Sequence, residues 1–227
     1  MAEIGTVRQN SYGNFPEGQN RLARLNRRAE MVTIDFWTQM VLDGRMFHMQ
    51  IGTENEPVPG TVAIDDELVW MLVDNAAGTV LLPAIVNIEV EGASTSANLA
   101  SMFEIDNAKA RFNSGGTAYV PANLRTDSPR VSVATVARVG TDITAFTKTA
   151  VPGSMEIARI AHWETSPTAT NEPSDFVSNT RTLFSAQTQP GVAVVGVGSM
   201  LVHHGGSADV TSYGYMQWAE LPTESVT

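Results

Sequence analysis

The sequence contains no cysteine, which excludes disulfides, thiolate metal sites and cysteine nucleophiles and leaves burial and strand pairing to hold the fold. It has no apolar run near the roughly 18 residues that a membrane-spanning helix requires, and no apolar segment near Met1 of the kind a secretory signal uses. The expectation is a protein made in the cytoplasm with no membrane partner. Charge is scarce as well. Only 17% of the residues are charged, against roughly 25% in typical soluble domains. Ser, Thr, Asn, Gln and Ala must therefore supply much of the surface, an exterior suited to broad contact with neighbouring subunits.

What is present is an ordinary apolar fraction, 43% of 227 residues, enough for one large β domain with a core of its own. The charge that exists is unevenly placed. Residues 1–30 carry five Arg and three Glu, whereas residues 31–227 carry nine basic and twenty-one acidic groups. A small basic arm at 1–30 thus precedes an acidic body at 31–227. The body repels nucleic acid, whose binding draws on Lys and Arg at phosphates, and the arm is too weakly basic to package a genome. Direct nucleic-acid binding is not expected.

Within the arm, Leu22, Leu25 and Ala29 recur at helical spacing, which predicts a short amphipathic helix over 18–30 flanked by Arg21, Arg24, Arg27 and Arg28. After Met31 the period becomes two. Val32, Ile34, Phe36, Met40 and Leu42 alternate with polar neighbours and predict a half-buried strand. The same alternation marks Val86, Ile88 and Val90, and again Val131, Val133 and Val139. Two continuous apolar runs, LVWMLV at 68–73 and GVAVVGVGSMLV at 191–202, predict strands covered on both faces. Further strands are expected at 46–51, 101–105, 117–120, 143–147, 155–164, 182–187 and 212–220. Turn clusters separate them: NSGG at 113–116, VPGS at 151–154 and HHGGS at 203–207. Pro83, inside TVLLPAIV, points to an edge or a bulge. The stretch 165–180 reads as a long exposed loop. With no sustained helical stripe beyond the arm, the chain is expected to be all-β, an antiparallel β-sandwich.

No motif for catalysis stands out. The adjacent His203 and His204 project to opposite faces of any strand and lack a clear acidic partner in the sequence, so no metal site is expected there. His48 and His162 sit within strand patterns. Asp65, Asp66 and Glu67 lack the ligand alternation and glycine of a calcium loop and read as a solvated turn. The glycines of GVAVVGVGS match neither a dinucleotide fingerprint nor a phosphate loop, and no serine sits in a nucleophile elbow. Neither an enzyme nor a cofactor-binding protein is indicated. A carboxylate pair drawn from distant strands leaves no local trace and stays open. Tyr213, Tyr215 and Trp218 crowd into one strand; period two puts the tyrosines on one face and the tryptophan on the other. Such residues favour protein contacts and also form platforms for sugars.

The polar arm, the strand FHMQIGT, the stretch DDELVWMLVDNAAGTVLLPAIVNIEVE and a glycine-rich strand followed by YGYMQWAEL give residues 45–92 and 190–222 a resemblance to the small virion proteins of tailed bacteriophages. In these proteins a sandwich of jelly-roll type assembles as trimers that cement or decorate the capsid. The resemblance implies a virion location, a homotrimer, the major capsid protein as partner, and no catalytic residues. Assembly contacts are then expected at Arg21, Arg24, Arg27, Arg28, Tyr213, Tyr215 and Trp218. Two alternatives are a receptor- or carbohydrate-binding sandwich of a tail or fibre, and a small single-jelly-roll capsid protein.

Overall fold

The computed structural model describes residues 6–7, 21–22, 34–60, 68–93, 97–144, 154–164, 180–206 and 210–225. In chain order these form β1 (Thr6–Val7), β2 (Arg21–Leu22), α1 (Phe36–Leu42), β3 (Met46–Ile51), β4 (Val58–Pro59), β5 (Leu68–Asn75), β6 (Thr79–Ala93) and β7 (Ala97–Asp106). There follow β8 (Phe112–Ala118), β9 (Ala122–Asn123), β10 (Val136–Ile143), β11 (Ser154–Glu164), β12 (Thr180–Ser185), β13 (Val194–Val195), β14 (Gly198–Gly206), β15 (Val210–Pro222) and a 3-10 turn at Thr223–Ser225.

Two antiparallel sheets pack face to face. One runs β12-β6-β15-β3-β9, with β13 beside β6 and β4 beside β15; the other runs β11-β7-β14-β5-β10-β8. Without the short strands and the β8–β10 insertion, the eight long strands divide between the sheets as β3-β15-β6-β12 and β5-β14-β7-β11. That order, first strand beside last and the rest interleaved, is a jelly roll, the double Greek key that protects sheet edges. The expected all-β sandwich of jelly-roll type is the observed fold.

Period two explains the core. On β15, Gly214, Met216 and Trp218 face inward while Tyr213, Tyr215 and Gln217 face out. Gly214 is glycine because a Cβ there would collide with the Asn87 carbonyl oxygen on β6 and come within 3.2 Å of Trp70 in the opposite sheet. Trp70, Trp218, Phe47, Phe103 and Phe184 fill the inter-sheet space and are at most 2% exposed. Each such ring removes roughly 200 Å² from water, about 5 kcal/mol of gross hydrophobic stabilisation. Methionine fills the gaps between them with Met49, Met71, Met200 and Met216; Met40, Met46 and Met102 are buried elsewhere, and Met155 is exposed. The run at 68–73 is covered on both faces as expected, apart from Leu68 at its start. On the outer face of its sheet Val69, Leu72, Leu201 and Ile143 form a second apolar cluster, against which Phe112 packs. Pro83 sits at a bulge where Ile85 pairs with Gln217 and Pro83 with Trp218, skipping Ala84. It also falls between the stretches of β6 that pair with β12 and with β13, so its missing N–H costs no ladder bond.

Several local expectations are corrected. Phe36–Leu42 is helix, not strand. The Asp35 side chain caps it by accepting from the Thr38 N–H at 3.0 Å; the Thr38 side chain, and after it this backbone bond, hold the Asp35 carboxyl below its usual range. Phe36, Trp37, Met40 and Val41 pack against Met46, Val80, Ala219 and Leu221 on the outer face of the sheet, leaving Leu42 outside. Val32 lies outside the described residues. Arg21 and Leu22, expected in a helix, instead pair with Val7 and Thr6; the rest of 18–30 lies outside the described residues. Asn113–Gly116, read as a turn, lies inside β8, where Gly115 and Gly116 adopt positive φ while Ser114, Gly115 and Thr117 stay paired to β10. His203–Gly206, also read as a turn, belongs to β14 and pairs with β7. Val131 and Val133 precede β10 rather than sit in it and are 75% and 47% exposed. Val120 lies beyond the end of β8, and 144 follows the end of β10, with 145–147 outside the described residues. The run at 191–202 is buried on both faces only from Gly198 onward, because Gly196 turns the chain with φ +70° and leaves Val195 and Val197 half in water. The segments 151–153 and 165–179 lie outside the described residues.

Candidate functional site: buried polar anchors and an aromatic outer face

The polar chemistry of the described residues is of two kinds, carboxylates and imidazoles sealed inside the sandwich, and an aromatic and amide row on its surface. The largest sealed group lies where β5 ends. The Asp74 carboxylate, 1% exposed, accepts from the Ser199 hydroxyl at 2.5 Å, from Arg111 N–H at 3.1 Å and from Phe112 N–H at 3.0 Å. Arg111, itself buried, donates through Nε to Asp106 and through a terminal nitrogen to the Thr144 carbonyl. Two buried acids and one guanidinium thereby fasten the start of β8 to the ends of β5, β7 and β14. Buried charges are tolerated only when paired and hydrogen-bonded in this way.

A second anchor is Glu220, 4% exposed, whose Oε1 accepts from Ser132 Oγ at 2.5 Å and Trp218 Nε1 at 3.1 Å, while Oε2 accepts from Val133 N–H at 2.8 Å. It holds the extended stretch ahead of β10 across the end of the sandwich. Both anchors secure the insertion between β7 and β11, and neither opens to solvent.

The histidine pair obeys the strand rule: His204 points between the sheets and His203 away from them. His204 Nδ1 lies 2.8 Å from Ser101 Oγ, its Nε2 lies 2.7 Å from Ser212 Oγ, and its ring is 5.0 Å from that of Trp70. His203 Nδ1 lies 2.9 Å from the Leu68 carbonyl and its Nε2 3.3 Å from Glu104 Oε2. The acidic partner judged missing from the sequence is therefore Glu104, brought alongside by the pairing of β14 with β7. All three groups are at most 1% exposed, so the serine–histidine contact is structural and out of reach of a substrate. Among the described residues no three His, Asp or Glu side chains gather as metal ligands. Asp65, Asp66 and Glu67 lie outside the described residues, as does the side chain of His162.

On the outer face of the β3-β15-β6 sheet, Tyr213 and Tyr215 stand half-buried, as period two required. Asn87 Nδ2 donates to the Tyr215 hydroxyl at 2.6 Å, the His48 ring lies 5.5 Å from that of Tyr215, and Gln217 Nε2 lies 3.4 Å from His48 Nδ1. Partial burial pushes the His48 pKa below its ordinary value. Trp218, grouped with the tyrosines as an assembly contact, is fully buried in the core and faces away from this row. Arg24, Arg27 and Arg28 lie outside the described residues, and Arg21 is placed only as a member of β2.

No family model matches the chain, and no curated protein matches it.

Proposed function

We propose that this chain is a structural protein of a virus particle, a capsid cement or decoration protein that strengthens a shell through contacts with its neighbours. The observation that carries the reading is the combination of jelly-roll strand order with a closed interior. Jelly rolls serve viral capsids, lectins and enzymes alike, so the fold by itself does not choose among them. Here the space between the sheets is taken up by tryptophan, phenylalanine and methionine, and the polar clusters are sealed and spent on holding the insertion. What remains free to act is the surface, and a protein that acts by surface alone binds or assembles. The weakly charged exterior and the basic arm ahead of an acidic body support assembly.

The major capsid protein is the proposed partner, with Arg21, Arg24, Arg27 and Arg28 reaching toward its acidic surface as charge-assisted donors. A homotrimer is the proposed unit, with Tyr213 and Tyr215 near its contacts. The eight-strand order also favours a second reading, a small single-jelly-roll capsid protein that forms the shell itself. A carbohydrate-binding reading now rests on two tyrosines instead of three aromatic residues.

The test is co-sedimentation of the full chain with capsids at two salt concentrations, beside a variant with the four arginines changed to Gln. Attachment of the intact chain in fixed stoichiometry, weakened in the variant and by salt, supports the cement reading. Equal attachment of both removes the arm from it. Spontaneous closed shells of the purified chain favour the second reading, and no sedimentation with any capsid overturns the first.

A further inference from the structure

The exposed apolar side chains are not scattered. Among the described residues every exposed large apolar side chain except Leu68 belongs to one end of the sandwich, the end holding α1, the β5–β6 turn, the insertion after β7 and the β13–β14 turn. Leu42, Val120, Val131, Val133, Val195 and Val197 define it, from 45% exposed at Val197 to 86% at Val120. Single exposed valines are ordinary; a gathering at one end marks an interaction surface.

The valines are also held in place. Ser132 turns inward to Glu220 and the Val133 N–H bonds the same carboxylate, which leaves Val131 and Val133 presented outward from an anchored backbone. Asn107 ties the other side of the end, donating to the Ala193 carbonyl and accepting from the Val195 N–H.

Charge decides what this end meets. Its segments, 34–45, 106–135, 186–197 and 222–225, carry five basic and five acidic residues and are neutral together. The rest of residues 31–227 carries four basic and sixteen acidic residues. Two copies of so acidic a body repel each other through most orientations. The neutral, apolar end is where they come together with the least of that penalty.

We infer that the α1 end of the sandwich is a self-association surface whose occupant is the same end of a second copy. This holds whether or not the chain sits on a capsid, and its failure leaves the capsid test above untouched.

The experiment is sedimentation velocity on the full chain over a concentration series at low and high salt. Wild-type protein is expected to exceed the 24.4 kDa monomer mass and to associate more strongly as salt screens the acidic bodies. Association through the basic arm would weaken with salt instead, and that outcome overturns the inference. The double variant Val131→Glu/Val133→Glu is expected to be monomeric, with an unchanged circular dichroism spectrum because both side chains are exposed. Leu68→Glu, at the other end, is expected to associate like wild type. Mixing Val131→Glu/Val133→Glu with Val131→Lys/Val133→Lys restores association if like ends meet. Failure of the mixture to associate, or a wild-type chain that stays monomeric until capsids are added, overturns the inference; the latter assigns this end to the shell.

Discussion

Replacing Asp74 with Ala removes the acceptor on which the start of the insertion depends, and the structure sets the size of the effect. Three donors lose their partner, but not equally. Arg111 N–H keeps Ser199 Oγ at 2.9 Å, and the Ser199 hydroxyl retains the Lys109 carbonyl at 3.3 Å. Phe112 N–H, bonded to Asp74 Oδ2 alone, is orphaned where it starts β8. An unsatisfied N–H of this kind costs about 1–3 kcal/mol, and losing the charge-assisted part of the other two bonds adds about 1–2 kcal/mol, together roughly 2–5 kcal/mol. For a domain of this length each kcal/mol moves Tm by about 2–4 °C, so the variant should melt about 4–20 °C lower. Asp74→Asn, which keeps the shape but turns one oxygen into a competing donor, should fall about half as far. Thermal melts followed by circular dichroism give the magnitude, and hydrogen exchange gives the place. Amides of residues 111–118 should lose protection before those of the inter-sheet strands β6 and β15. A Tm within about 2 °C of wild type for Asp74→Ala would refute the claim that this carboxylate anchors the insertion.

Three further outcomes follow from the same geometry. Glu220→Ala should cost about 2–4 kcal/mol by orphaning Trp218 Nε1 and Val133 N–H, and hydrogen exchange should speed up first at 131–135. Burial lowers the folded-state pKa of His48, so below about 6.5 the unfolded chain takes up a proton that the folded one resists; stability is full above that pH and declines beneath it. A melt series from about pH 8 to pH 5 should therefore show a shallower acid-side loss for His48→Gln than for wild type. Gly116 and Gly78 both have positive φ, but a Cβ at Gly116 meets Thr141 Cβ at 2.7 Å whereas one at Gly78 meets nothing within 4 Å. Gly78→Ala should cost about 1 kcal/mol and Gly116→Ala clearly more, with denaturant midpoints as the measure.

The sandwich was legible because buried strands write their period directly into the chain. β3, β5, β6, β7, β11 and β15 each show alternation or a continuous apolar run, and no helical stripe competes with them. Misreadings arose where one pattern serves two periods. Phe36 and Met40 fit a two-residue and a four-residue repeat equally, and what separates the cases is the cap at Asp35 with Trp37 and Val41 joining the same face. The small-residue stretch Asn113–Gly116 signals a turn by composition, yet pairing with β10 holds it within a strand whose two glycines take positive φ. The Tyr213 and Tyr215 face was readable from period two. Glu104 beside His203 was not, since the two are joined only by strand register, and the sequence carries no local sign of which strands become neighbours. The same holds for Asp74 and Glu220, whose partners come from the far side of the insertion.

The sulfur of this chain is all thioether, and its placement gives the protein a built-in record of its own opening. Of the eight methionines among the described residues, seven lie in the core at 3% exposure or less, while Met155 is 53% exposed. Peroxide reaches a thioether only when water does. Met155 should gain its oxygen at the rate of a free peptide, and Met49, Met71 and Met216 only as fast as the sheets part. A sulfoxide at any of those three sets a polar, chiral group against Trp70 or Trp218, so the first such event hinders reclosure and exposes the remaining thioethers. Oxidation of the interior is therefore expected to run in bursts, molecule by molecule, leaving a mass spectrum of chains with surface damage alone beside chains oxidised throughout.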